Sequence, residues 1–104
     1  MRQEANPHRG EASLAVDGKA YRLRPTFSAL VAAEEELGPL FALVERAGEN
    51  RLSLTEMAAL FWHCMAEPGE LTRHKLNGAV ADLGLATCAK PLRMLLGQIL
   101  QGSG

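Results

Sequence analysis

Between residues 11 and 24 apolar and polar positions alternate. Ala12, Leu14 and Val16 fall on one side of the chain and Glu11, Ser13 and Ala15 on the other. After Asp17 and Gly18, Tyr21 and Leu23 separate from Arg22 and Arg24 in the same way. A period of two marks a half-buried strand, and Asp-Gly between two such runs supplies the positive φ angles of a type I′ turn. The pattern predicts a β-hairpin. Two strands alone are marginal in water, so the apolar face of this one must lie against helices.

Beyond Pro25 the period lengthens. Thr26 is placed to cap a helix from about Phe27 to Leu37, with Phe27, Leu30, Val31 and Leu37 as its apolar stripe and Gly38 as its stop. Pro39 suits the first turn of a second helix, from Leu40 to about Ala47, ending at Gly48. Ser53 and Glu56 form an S-x-x-E capping box ahead of a third helix. On it Leu54, Met57, Phe61, Cys64 and Met65 share a face, while Leu60 and Trp62 lie elsewhere. A helix apolar on most sides belongs in the centre of a domain. Pro68 and Gly69 break the chain, and Thr72 caps a fourth helix with Leu76, Val80 and Leu83 in step and Gly84 as stop. A fifth helix is expected to start near Thr87 and to tolerate Pro91 in its first turns. Leu92, Leu95, Leu96, Ile99 and Leu100 follow the i, i+3, i+4, i+7, i+8 rule along it.

Residues 1–10 carry no periodicity and read as a disordered N-terminal segment, leaving residues 11–101 as a single domain. The expected class is α+β: an N-terminal two-stranded β-hairpin packed on a mainly α-helical domain of four or five helices. Composition agrees, since 17 Leu and 16 Ala stand against 4 Val and 1 Ile and the first two are helix formers. A single domain of 104 residues should have a radius of gyration of roughly 13 Å. No apolar run approaches the ~20 residues that span a bilayer, and the polar start lacks the apolar segment of a signal peptide. No membrane role and a cytoplasmic location are therefore expected. Cys64 and Cys88, in a chain without an export signal, read as reduced and buried.

Catalytic chemistry has no foothold in the pattern. Phosphate-cradling and nucleophile-elbow motifs are absent, and no C-x-x-C or H-x-x-x-H pair occurs. His63 and Cys64 are adjacent, so on a helix they project about 100° apart and do not converge on a metal. The expectation is a non-enzymatic protein with no cofactor and no metal.

Charge placement is more informative. Glu34, Glu35 and Glu36 crowd the end of the first helix, where the macrodipole disfavours anions. Glu34 falls on the apolar stripe and is expected to be partly buried against an arginine, Arg24 or Arg46; Glu35 and Glu36 are candidates for an acidic partner-binding patch. Arg73, His74 and Lys75 reverse the problem at the start of the fourth helix. A helix-turn-helix across Pro68-Gly69 would place them on DNA phosphates. Against nucleic acid stands the charge of residues 53–104, with four basic and four acidic side chains and no positive field. Trp62, the single Trp, is a candidate interface anchor. The partner-binding candidates are thus Trp62, Glu35, Glu36, Arg73 and Lys75.

One block of motifs is more specific. It reads N-x-x-R-G-E from Asn6 to Glu11, then D-G-x-x-Y-x-L-R-P-T-F from Asp17 to Phe27, then A-L-x-x-x-E-x-x-L-G from Ala29 to Gly38. This block resembles the small tail proteins of gene transfer agents and related tailed phages, a family grouped with phage tail assembly chaperones. The resemblance covers about the first 40 residues closely; in the second half, His74 and Lys75 stand where acidic residues would be expected after Leu71-Thr72-Arg73. It implies a phage-like tail assembly protein, a chaperone for the tail tape measure protein, with the major tail protein as a further partner and self-association possible. The alternative it implies is a minor structural component of the tail or tail tube, associated with the virion.

Overall fold

The structure, a computed structural model, describes residues 12–102; the segment expected to be disordered lies outside the described residues. Strand β1 (Ala12–Val16) pairs antiparallel with β2 (Lys19–Leu23), in register from Ala12 opposite Leu23 to Val16 opposite Lys19. Asp17 and Gly18 between them have φ of 53° and 80°, as a type I′ turn requires. Alternation is read out directly as burial: Ala12, Leu14 and Val16 are buried, Ser13 and Ala15 exposed. A short third segment adds to the outer edge of β2. Met65 bridges Leu23, with Arg24 N–H donating to the Cys64 carbonyl at 2.7 Å and Ala66 N–H to the Arg22 carbonyl at 3.0 Å.

Five helices follow: α1 (Phe27–Leu37), α2 (Leu40–Gly48), α3 (Leu54–Cys64), α4 (Arg73–Leu83) and α5 (Leu85–Gln101). Three of them, α1, α3 and α4, start at the expected caps. Thr26 accepts from Ala29 N–H, Thr72 from Lys75 N–H, and Ser53 with Glu56 closes a complete capping box. Helix α3 is central, with Met57, Ala58, Ala59, Leu60, Phe61 and Cys64 all buried. It packs against α1, α4 and α5, while α5 also covers β1. The hairpin's apolar face is thereby buried on helix, as its marginal size demands. The radius of gyration is 13.1 Å.

Two expectations are corrected. The stripe of α1 is rotated: Phe27 is 84% and Val31 37% exposed, and the fully buried position is Ala33. Ala29, Leu30 and Leu37 pack beside it. Small residues let α1 approach α3 closely, and that contact outweighs the burial of a larger side chain on the other face. The fifth helix starts at Leu85, not near Thr87. Gly84, at φ 87°, ends α4 by donating to the Val80 carbonyl and begins α5 by accepting from Cys88 N–H. Only glycine adopts that conformation without strain, so one residue turns the chain with no loop. Helix α2 includes Gly48, and Asn50 at φ 58° takes the left-handed role after it.

Candidate partner-binding surfaces

The carboxylates at the end of α1 resolve the dipole conflict in two ways. Glu34 is exposed and meets neither Arg24 nor Arg46; its Oε2 accepts from Leu40 N–H at 3.0 Å. Pro39, at the N-cap of α2, has no side chain able to cap. An anion unfavourable at the end of α1 is favourable at the start of α2, and Glu34 serves there as the missing cap. Arg46 instead pairs with Glu56, its Nη1 within 2.7 Å of both carboxylate oxygens. Backbone N–H donation from Ser53, then the Arg46 guanidinium, hold the Glu56 carboxyl below its ordinary range.

Glu36 is an internal tie. It takes Arg73 of α4 on Oε2 and His63 Nε2 of α3 on Oε1, the latter at 2.7 Å. The cation at the start of α4 is thereby neutralised by the anion at the end of α1. Arg73, followed by His63, keeps the Glu36 carboxyl below its ordinary value of 4.5. A carboxylate depressed in the folded state stabilises above its unfolded value and loses that contribution as pH falls through the folded one. Lowering pH from about 6 to about 3 should therefore cost the wild type more stability than Glu36→Gln, measured by urea midpoints. Parallel losses in both would show that the tie contributes nothing.

Of the five candidates read from the sequence, Glu36 and Arg73 are thus joined to each other across the fold. Trp62 is half-buried and packs on the core. Glu35 and Lys75 are exposed. The most exposed large apolar side chains are not among them. Phe27 and Val31, one turn apart on α1, are exposed, and Phe41 at the start of α2 is 85% exposed. Single exposed apolar residues are ordinary, and two nearly bare Phe side chains in one small domain make these positions candidates for a partner contact. Both lie in the first turn of their helices, Phe27 directly after the Thr26 cap and Phe41 one residue after the start of α2.

Cys64 and Cys88 are free and buried. Burial pushes the Cys64 thiol up to about 12, so it stays protonated and is not a nucleophile. Among the described residues no group of His, Cys, Asp and Glu side chains converges to hold a metal, and no helix is long and apolar enough to cross a membrane.

A family model described as "Phage tail tube protein, GTA-gp10" matches residues 9–102. The chain belongs to this family. The phage tail and gene transfer agent expectation drawn from the N-terminal motifs is met, and the match extends it to the helical second half. The match gives the family as a tail tube protein and not as an assembly chaperone, so the structural alternative fits better than the chaperone reading. No curated protein and no solved structure matches the chain significantly. Within this tail tube family member, the α+β architecture is a two-stranded hairpin on five helices.

Proposed function

We propose that this chain is a non-enzymatic structural component of a phage-like tail, retained in the particle and contacting other tail subunits and copies of itself. The family match over residues 9–102 carries the reading. The exposed aromatic positions of α1 and α2 support it, because Phe27 and Phe41 lie outside the domain's own core and large aromatics are the usual anchors of protein contacts. A two-stranded sheet is too small to close a barrel, so in this reading the helices carry much of the contact. Quantitative mass spectrometry of purified particles tests it. The chain should be present in a fixed ratio to the major tail protein. Absence from particles, together with a rise in solubility of a co-expressed tape measure protein, would reverse the assignment in favour of the chaperone.

A further inference from the structure

On the side of the hairpin away from α5, a groove of about 520 Å³ runs between the start of α1, the end of β2 and residues 63–67. Its wall is formed by Arg22 and Arg24, alternate residues on the solvent face of the chain leaving β2. Ala29 and Ala32 of α1 lie across it, small enough to leave the space open. His63 lines it as well; its Nε2 is engaged by Glu36, which leaves Nδ1 as its remaining polar atom. Among the described residues of the lining, Glu67 is the lone carboxylate. Neither arginine pairs with a carboxylate among the described residues, whereas Arg46, Arg51 and Arg73 all do. The described lining is therefore net positive on a chain whose net charge is −1.

The geometry points to this groove as the docking site for an acidic polypeptide segment of a partner, its carboxylates on Arg22 and Arg24 and small or apolar side chains against the two alanines. Guanidinium groups are suited to carboxylate recognition in a bidentate fork. A polypeptide fits better than nucleic acid, because the described lining offers no Phe, Tyr or Trp for base stacking and the chain has no extended positive field. The outer edge of β2 adds a second reason. Arg22 turns its backbone groups outward to Ala66, so Ala20, two residues earlier, presents its N–H and C=O on the same edge. Those groups have no backbone partner among the described residues and suit an extended chain leaving the groove. The inference stands whether or not the chain remains in the particle.

Titration of the full-length protein with a blocked glutamate–alanine copeptide, followed by amide chemical shifts, tests this. Expected are a Kd of about 1 mM or tighter, weakening with added salt, and shifts confined to residues 20–32 and 63–67. The double substitution Arg22→Gln/Arg24→Gln removes two exposed charges and should weaken binding about tenfold with an unchanged melting temperature. If that variant unfolds, Arg24→Gln alone is read in the same titration. A lysine–alanine copeptide should not bind. Shifts mapping elsewhere, affinity indifferent to the arginines, or tighter binding of an oligo-dT strand through them would each overturn the proposal. So would self-association that the substitutions abolish while the copeptide fails to bind, which would assign the groove to a second copy.

Discussion

Phe61→Ala is expected to destabilise the protein by about 3–5 kcal/mol, a large share of the total stability of a domain this size. Phe61 is fully buried on α3, the helix that touches α1, α4 and α5. Removing its ring leaves a void at the junction of those contacts, and surrounding helices held by caps and ties can collapse into it only partly. The melting temperature should fall by on the order of 15–25 °C. Phe41→Ala is the internal control. With Phe41 85% exposed, the same chemical change there should shift stability by no more than ~0.5 kcal/mol. Thermal and urea unfolding of the two variants side by side decide the point; equal effects would mean that the central position of α3 is wrong.

The second large effect concerns association. Phe27→Asp with Phe41→Asp should leave the fold intact, because both residues lie in the first turn of their helices, where an anion is favoured by the macrodipole. Incorporation into particles should fall about 30-fold or more, the equivalent of losing one strong interfacial anchor of ~2 kcal/mol. Particle-bound against soluble protein, quantified from cells expressing the double variant, gives the answer. Normal incorporation would remove these aromatics from the tail contact and leave other exposed positions to account for it.

Most of the architecture was legible in the residues, for reasons that are local. The Asp17-Gly18 turn admits almost one conformation, and it lies between strands whose alternation fixes their register. Thr26, Ser53 and Thr72 cap helices through bonds to residues three positions on, so short-range sequence is enough to locate them. What was hidden depended on distance. The face α1 turns inward is decided by how closely it approaches α3, and alanines outcompeted Phe27 there. The partner of Glu34 is the Leu40 backbone N–H, which the pattern of opposite charges along the chain does not reveal. The link from Glu36 to His63 and Arg73 spans 27 and 37 residues, beyond any helical spacing. The groove beside Arg22 is assembled from two stretches more than 30 residues apart and has no motif at all. Function followed the same division: the N-terminal motif block located the family, while the choice between chaperone and structural subunit had no residue pattern to rest on.

The packing of α5 over β1 has a consequence for how the molecule is made. The first described strand finds its cover in α5, some seventy residues later, so the hairpin leaves the ribosome with its apolar side bare until α5 emerges. Until then Leu14 and Val16 are exposed to whatever nascent or neighbouring chain is near. Arrival of α5, rather than formation of the hairpin, is the event that closes this domain.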